Sequence, residues 1–536
     1  MDNGKGTGLP HRRLRPGYWC NMQANAEWPE SGELNAYQLE LEATQKHLGA
    51  QASDLNYLIT RVLRQDVSCQ RVQGLLEKAY TRLQTLRQGN IEISSIAADT
   101  DLSEPIKLAG TALRAGENLS LVNADQAYEQ AYRLCIERKS LTEIAGPIRA
   151  QQAMVAAVKL DFRHAAALYA EAAATSGDYP DVQLHYLSDQ ASMLEDLGRE
   201  FVDNEALQAA VNLYENKILP QIPEHERSDE WARMQESLGS TLGILGQRQR
   251  GTRMLERAIS AFENSLARRD RGRTPIEWAS TQNNLGNALG ILGQRQRDEE
   301  LLEKSIAAFE AALEIRTSEL SPEDWATTQN NLAAVLQSLG QQKKDAKMLK
   351  RAVEAYKAVL TIWTRERHPL NWGTTMNNLG TALRLLGEHR KGPRTLEQSV
   401  AAYHTALSVR TRERVPNDWA MTQNNLGAAL QVLGERTDDP MALGKSIAAY
   451  RESIKQWTRK REPVSWAMTM ANLGVARRKL AERNQDIDIS RKASADLKMA
   501  VDVFRDASHA QLTELSEEQL AVSRKLTASL QAGSKE

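Results

Sequence analysis

The sequence predicts an all-α solenoid built from antiparallel helical hairpins, and three observations support this prediction. Six tryptophans recur at a constant spacing of 47 residues, and they are Trp231, Trp278, Trp325, Trp372, Trp419 and Trp466. Leucines follow each tryptophan at fixed helical offsets, and small residues stand beside those leucines. Equal spacing over six copies is typical of a repeat array, whose units stack and share one continuous core.

The composition fits a helical array and disfavours several other classes of protein. The chain has 536 residues, which is more than one compact core usually covers. Its 68 basic and 69 acidic side chains leave a net charge of -1, which argues against a chain-wide affinity for nucleic acid or an anionic membrane. No apolar run is long enough to cross a bilayer. We therefore expect no membrane partner and disfavour nucleic acid.

The cysteines and the N-terminal residues indicate in which cellular compartment the protein is expected. Cys20, Cys69 and Cys135 are odd in number and far apart, so the sequence predicts neither a disulfide framework nor a metal cluster. The first residues carry basic side chains without the apolar core of a signal peptide. We expect a cytoplasmic protein without a cofactor or a metal, and the sequence leaves its oligomeric state open.

The first helix of each repeat is defined by counting from its tryptophan as position 0. Positions 7 and 14 are leucine in all six copies, position 8 is Gly or Ala, and position 15 is Gly in the first five. At 100° per residue, positions 0, 4, 7, 11 and 14 share one helix face. The pattern predicts that the tryptophan and the leucines form a buried stripe, so a ligand-binding role for the tryptophans is disfavoured. The small residue at position 8 predicts a close approach by a second helix.

The second helix and the repeat boundaries follow from spacing and proline. Leu302, Ile306, Phe309 and Leu313 recur every three or four residues, which indicates a helix. Proline stands three residues before each tryptophan from the second copy onward, at Pro275, Pro322, Pro369, Pro416 and Pro463. Proline ends the preceding helix, and the Asp, Asn or Ser found before several tryptophans is predicted to cap the next one.

The order of these residues resembles the tetratricopeptide repeat over about residues 146–508. In one copy the pattern is carried by Leu285, Gly286, Gly293, Ser305, Phe309 and Ala312. The resemblance implies a right-handed superhelical solenoid that binds proteins or peptides. The 47-residue period exceeds the usual period of about 34. Long repeats with an Asn-Asn-Leu run are similar to those of kinesin light chain, which implies binding of partner peptides.

We predict five segments. Residues 1–30 are expected to be disordered, residues 31–145 to be an N-terminal helical region, and residues 146–230 to form two degenerate repeats. Residues 231–508 are expected to form six 47-residue repeats, and residues 509–536 a C-terminal helix and tail. In the last repeat Arg477 and Lys479 replace apolar residues, which fits a polar capping repeat.

The nearest approach to a catalytic motif is Gly444-Lys445-Ser446, which is similar to the end of a phosphate-binding loop. The glycine that such a loop needs five residues earlier is Asp439, and no strand precedes it. The repeat register places these residues in a second helix. The nine histidines form no metal-binding pattern. The sequence predicts a protein that is not an enzyme.

The strongest functional signal is a recurring row of asparagines. Position 6 is Asn in five copies and position 5 is Asn in four, and position 6 lies opposite the leucine stripe. Asn is a mediocre helix former, so propensity does not explain its recurrence. In the family that the sequence resembles, this face lines a concave groove. The predicted partner-binding residues are Asn283, Asn284, Asn287, Asn330, Asn331, Asn377, Asn378, Arg384, Asn424, Asn425 and Asn472. Alternatively, each Asn bonds to the neighbouring repeat, and the sequence leaves both interpretations open.

The connectors between repeats are rich in basic residues. These residues are Arg268, Arg269, Arg271, Arg273, Arg365, Arg367, Arg410, Arg412, Arg414, Arg459, Lys460 and Arg461. The favoured interpretation is that they are solvated loops balanced by acidic helices. The alternative is an edge of the solenoid that binds acidic partners or RNA.

The sequence as a whole favours a scaffold or adaptor that captures partner peptides in a concave, Asn-lined groove. The alternative function is a regulatory tetratricopeptide subunit that clamps a signalling or nucleic-acid-processing enzyme, with a role for the less regular N-terminal region.

Overall fold

The computed structural model describes residues 69–96, 102–115, 118–137 and 142–533, so the predicted disordered segment lies outside the described residues. Within these ranges the chain forms twenty α-helices and no strand, which confirms the predicted α-solenoid. The helices are α1 (Cys69–Ile96), α2 (Ser103–Ala115), α3 (Asn118–Glu137), α4 (Thr142–Val158), α5 (Phe162–Thr175), α6 (Pro180–Phe201), α7 (Asn204–Leu213), α8 (Ser228–Arg248), α9 (Arg253–Arg268), α10 (Pro275–Gln296), α11 (Glu299–Leu313), α12 (Pro322–Gln342), α13 (Ala346–Val359), α14 (Pro369–Glu388), α15 (Arg394–Leu407), α16 (Pro416–Thr437), α17 (Pro440–Gln456), α18 (Pro463–Asn484), α19 (Ile487–Asp506) and α20 (Ala510–Gly533).

The helices pack as hairpins in chain order. From α8 to α19, each first helix packs along the helix that follows it, and each second helix packs against the next hairpin. Consecutive first helices, such as α10 and α12, also adjoin each other, whereas no comparable contact joins consecutive second helices in the described residues. The first helices therefore line the inner, concave side of the stack.

Proline starts the first helices, but the predicted caps are wrong. Helices α10, α12, α14, α16 and α18 begin at the prolines named above. The residues directly before the tryptophans lie inside the helix, and the actual N-cap residues, such as Thr274 and Ser321, make no side-chain cap bond. Proline suits the first helical position because its missing N–H is not needed there.

Several second helices begin with an aspartate N-cap that was not predicted from the sequence. Asp298 caps α11, since its side chain accepts hydrogen bonds from the N–H groups of Glu300 and Leu301 at 2.9 and 3.2 Å. Arg297, just before it, adopts a left-handed conformation with φ of 55°. The same cap recurs at Asp203, Asp345, Asp439 and Asp486. A capping carboxylate satisfies N–H groups that a helix start leaves open.

Small residues bring the two helices of a hairpin together, as predicted. A Cβ added at Gly286, position 8, would lie 3.0 Å from the ring of Phe309. A Cβ at Gly293, position 15, would lie 3.0 Å from Leu302. The hydroxyl of Ser305 donates to the Gly286 carbonyl at 2.5 Å across the same contact. These contacts confirm that the glycines set the spacing within the hairpin.

The tryptophans are only half-buried, so their assignment to the buried stripe is wrong in part. Position 1, such as Ala279 and Ala326, is fully buried instead. Trp325 packs at the edge of a small cluster with Ala326, Val359 and Trp363. The physical reason is that Ala326 packs against Val359 and Trp363 at the end of α13 in the same hairpin, and the preceding position points about 100° away from that contact.

The end of the stack is closed by polar pairs. Arg477 forms an ion pair with Asp496 on α19, and the buried Arg478 donates to Gln519 on α20 at 3.2 Å. Hydroxyl groups also join α19 to α20, as between Ser490 and Thr527 at 2.7 Å. The Arg477 side chain is therefore in contact with α19 inside the structure and does not belong to a solvated end face.

Candidate partner-binding surface

The predicted asparagines lie on the concave side, on the first helices α10, α12, α14, α16 and α18. Most of them are half-buried. Asn377 is buried, with 3% of its surface exposed, and Asn287 is exposed. The helices thus bring the position-5 and position-6 amides of successive repeats into one row.

Hydrogen bonds connect this row at three of the junctions between successive repeats. The amide of Asn425 donates to Asn377 Oδ1 at 3.2 Å, and Asn472 donates to Asn424 Oδ1 at 3.2 Å. At the start of the row, Asn284 donates to Glu236 Oε1 at 3.4 Å. Each bond runs from position 6 of one repeat to position 5 of the preceding repeat. We call this row the amide ladder, and these rungs tie the repeats together.

The amide ladder keeps unused hydrogen-bonding capacity. The side chains of Asn331 and of Asn287, which stands beside the ladder at position 9, make no hydrogen bond within the described part of the chain, and the buried Asn283 Oδ1 has no partner there. Asn330 Oδ1 accepts one long bond of 3.5 Å from Thr375. A side-chain amide offers two N–H donors and an oxygen with two lone pairs, so a single rung uses only part of it.

The surface around the ladder is neutral from α10 to α16. The side chains at positions 2, 5, 6 and 9 of these four first helices are amides, hydroxyls or small and flexible apolar groups, namely Ser280, Asn283, Asn284, Asn287, Thr327, Asn330, Asn331, Ala334, Thr374, Asn377, Asn378, Thr381, Met421, Asn424, Asn425 and Ala428. Such a surface recognises a ligand through hydrogen bonds and shape. The predicted Arg384 lies one helix turn further along α14, where it pairs with Glu388.

A cavity of about 270 Å³ opens beside the first rung of the ladder. Asn284, Asn287, Ser240 and Arg199 are among the residues that line it. A Cβ placed at Gly243 would meet no atom within 4 Å, which leaves this space open. Pockets that hold small organic ligands span about 300–1,000 Å³. The cavity is therefore the size of one side chain or a short peptide segment.

Several connector arginines are buried, which corrects their interpretation as solvated loops. The Arg269 side chain is 6% exposed and donates to Glu236 at 2.5 Å. Arg316 donates to Thr328 and to Ser280, both at 3.1 Å. These side chains insert between consecutive first helices because their stems leave the connector beside the helix starts.

Arg410 is the most deeply buried of these arginines, with 1% of its side chain exposed. It contacts Asp418 at 3.1 Å, while its Nε and Nη1 have no hydrogen-bond partner in the described chain. Burial lowers the pKa of Arg410, and Asp418 opposes that effect. A Cβ at Gly373 would come within 3.1 Å of the Arg410 stem, so glycine is needed there. Arg414 is also buried.

Three other connector arginines pair with acidic side chains, as the favoured interpretation predicts. Arg268 pairs with Glu224, Arg271 with Glu314, and Arg273 with Asp229. Sequence reasoning treated all connector arginines alike. One signal could have separated them. The thirty-eighth residue after each of the first five tryptophans is Arg269, Arg316, Trp363, Arg410 or Trp457, and this mixture of Arg and Trp suits a site that is at least partly buried.

The motifs considered for chemistry have structural roles. Ser446 lies in α17, where its hydroxyl donates to the Gly427 carbonyl at 2.7 Å, so the resemblance to a phosphate-binding loop has no structural basis. Burial raises the pKa of the Cys135 thiol to about 11. Among the described residues, no group of His, Cys, Asp and Glu side chains is arranged to hold a metal ion. No described helix could span a membrane.

The stacked hairpins and the concave amide row define a helical-repeat protein with a continuous inner surface. The family model of the tetratricopeptide repeat matches residues 278–319 and 325–369, which are two consecutive repeats. The chain therefore contains tetratricopeptide repeats. No curated protein matches its sequence.

Solved structures of several proteins are similar to this chain. BtubC (BKLC) from P. vanneervenii is 22% identical, with 48% of this chain and 92% of that chain covered and a TM-score of 0.30. The human IFIT1 dimer with PPP-AAAA is 13% identical, with coverage of 92% and 94% and a TM-score of 0.39. A signal transduction ATPase with a tetratricopeptide repeat sensor from Pyrococcus horikoshii is 13% identical, with coverage of 93% and 74% and a TM-score of 0.38.

Proposed function

We propose that this protein is a non-catalytic scaffold or adaptor that binds peptide segments of partner proteins along its amide ladder. Tetratricopeptide repeats are protein-interaction modules, and this supports a scaffold in general terms. The finer proposal is that the concave groove from α10 to α18 is the binding surface, and that the amides predicted from the sequence contact the partner.

The observation that carries the proposal is the spare hydrogen-bonding capacity of a neutral, half-buried surface. Asn287 and Asn331 keep all of their side-chain donors and acceptors available. An extended peptide presents N–H and C=O groups that lose solvent on binding and need new partners. Amides supply both kinds of partner and select no particular charge.

The asparagines of this surface have two roles, which are to join neighbouring repeats and to bind the partner. Asn425 and Asn472 are rungs, so their loss affects the stacking of repeats. Asn287 and Asn331 are not rungs, so we assign them to the partner alone. This division makes the proposal testable, because binding and stability respond to different residues.

The first test compares two double variants by affinity purification from the cells that produce the protein. Asn287→Ala/Asn331→Ala is expected to lower partner capture about tenfold or more, at about 1–3 kcal/mol for each unpaired peptide group, with an unchanged melting temperature. Asn425→Ala/Asn472→Ala is expected to lower the melting temperature. Partner capture that survives Asn287→Ala/Asn331→Ala unchanged would refute the groove proposal.

A photocrosslinking experiment locates the partner directly. A benzoylphenylalanine is placed either at Thr327, exposed on the concave side of α12, or at Lys357, exposed on α13. We expect crosslinks to a defined partner segment from position 327 and none from position 357. Crosslinks from position 357 alone would place the partner on the convex side and contradict the proposal.

A further inference from the structure

The charge of the concave side differs in the helix that precedes the first tryptophan repeat. In α6, which precedes α8 in the stack, three positions on the side that corresponds to the concave face carry acids. Counted in the repeat register, Asp189 stands at position 6, Asp196 at position 13 and Glu200 at position 17, whereas α10 carries Asn284, Ile291 and Arg295 there. The neutral amide surface is therefore preceded by an acidic one.

Helix α1 packs against α2 and α4, and two of its cations reach the acids of α6. Lys78 Nζ lies 2.8 Å from Asp196 and 2.9 Å from Glu200, and Arg82 pairs with the other oxygen of Asp196. The Arg82 guanidinium also lies 5.1 Å from the centre of the Phe162 ring. These contacts with Asp196 and Glu200 join residues more than one hundred positions apart in the chain. Burial would raise the pKa of Asp196, but Arg82 and Lys78 outweigh burial and hold that pKa below its ordinary value.

The face of α1 that makes these contacts has a clear pattern. Leu75, Ala79, Leu83 and Leu86 are buried, and each of the two cations precedes one of these residues by a single position. Residues spaced by three and four lie on one helix face. The surface formed by α2, α4 and the acids of α6 therefore accommodates an amphipathic helix with basic residues four apart.

The packing of α1 against its neighbours leaves buried polar atoms without hydrogen bonds. Arg82 Nη1 and Gln151 Oε1 are both buried without a hydrogen-bond partner in the described chain. Gly89 of α1 is pressed against the Gln151 side chain, since a Cβ there would lie 2.3 Å from Gln151 Nε2. A buried polar atom without a partner weakens an interface. A helix that satisfied these atoms would bind the same surface more tightly than α1 does.

We propose that α1 is an intramolecular ligand of a surface formed by α2, α4 and the acidic residues of α6, and that a basic amphipathic helix of a partner protein binds there by replacing it. The proposal rests on the proposed function only in treating the concave side as the binding side. It adds a second kind of partner segment at the N-terminal end of the groove, and it makes access to that end depend on the release of α1.

The test uses the full chain and a synthetic peptide of residues 69–96 with the unchanged sequence. In the variant Lys78→Glu/Arg82→Glu, α1 is repelled by Asp196 and Glu200, and the surface becomes available. We expect the fluorescent peptide to bind this variant about tenfold or more tightly than the unaltered chain, in which the tethered α1 competes at a high effective concentration. The control Lys445→Glu/Lys498→Glu makes a matching charge reversal outside this surface and is expected to behave as the unaltered chain.

Equal peptide binding to both charge variants would overturn the proposal. A second measurement on the unaltered chain covers the case in which the charge-reversed variant does not fold. Native-state hydrogen exchange is expected to show that amides of α1 open locally, at lower denaturant than those of α10 and α12. If α1 exchanges only with global unfolding, it is a permanent part of the fold and the proposal fails. Neither measurement tests partner binding to the amide ladder, so this failure leaves the proposed groove function standing.

Discussion

At the scale of single residues, arginines hold the repeats together through backbone carbonyls. Arg295 Nη1 donates to the carbonyls of Gly246, Gln249 and Gly251 at 2.7, 2.8 and 3.0 Å. Its Nη2 donates to the Gln247 carbonyl at 2.8 Å. These carbonyls lie at or just after the end of α8, where a helix leaves its last acceptors unsatisfied. Arg248, Arg436 and Arg483 make similar bonds to the preceding repeat.

We expect Arg295→Met to lower the free energy of unfolding by about 2–3 kcal/mol, since charged hydrogen bonds to several carbonyls are lost at once. Arg295→Lys should restore little of it, because an ammonium group cannot reproduce the planar fork of donors. Urea denaturation measures both effects. The matched control is Arg253→Met, at an exposed arginine, and an equal loss in the control would contradict the assignment.

At the scale of the helix pair, glycines in the first helices affect stability in opposite ways. The effect depends on whether a side chain of the second helix packs against the glycine. Gly427, position 8 of α16, faces Tyr450, and a Cβ there would lie 2.7 Å from the ring. Gly243 in α8 faces the open cavity beside Asn284. Gly lowers helix stability relative to Ala wherever no contact requires it. The spacing of each hairpin thus depends on some glycines and not on others.

We expect Gly243→Ala to raise the free energy of unfolding by about 0.5–1 kcal/mol through helix propensity. Gly427→Ala should lower it by about 1–3 kcal/mol, because the added methyl group pushes Tyr450 away from α16. Calorimetric melting of the two variants compares the same chemical change in both settings. If both variants shift the melting temperature in the same direction, the contact at Gly427 does not set the spacing.

At the scale of the whole molecule, the stack is close to one-dimensional, because each hairpin packs mainly on its neighbours. Helix α20 closes the C-terminal end, where Leu520 packs with Leu497 and Val501 of α19. Hydroxyl pairs add to this contact between α19 and α20, such as Ser494 with Ser523 at 2.9 Å. A change at this end should therefore have mainly local effects.

We expect deletion of residues 510–536 to loosen α18 and α19 while α10 to α13 keep their protection, because nearest-neighbour contacts decay quickly along a stack. Hydrogen exchange followed by mass spectrometry measures this difference along the chain. The apolar residues of α19 that the deletion exposes should also promote association in light scattering. Uniform loss of protection over all repeats would instead show that the stack folds as one cooperative unit.

Sequence alone determined the parts of this protein that depend on local pattern. The 47-residue spacing, the leucines at positions 7 and 14 and the prolines at the helix starts lie within one hairpin or its edge. A helix has a fixed angle per residue, so the offsets are sufficient to place Gly286 against the second helix. The same reasoning places the asparagines on the face opposite the leucines.

Only the tertiary structure decided which residue of one repeat meets which residue of the next. The half-burial of Trp325, the burial of Arg410 and the rung from Asn425 to Asn377 depend on how one hairpin is rotated against its neighbour. The contact of Lys78 with Asp196 on α6 depends on how α1 packs against α2 and α4. Helical periodicity fixes directions about one axis, whereas these contacts depend on the distance and angle between two axes, which packing of the whole core determines.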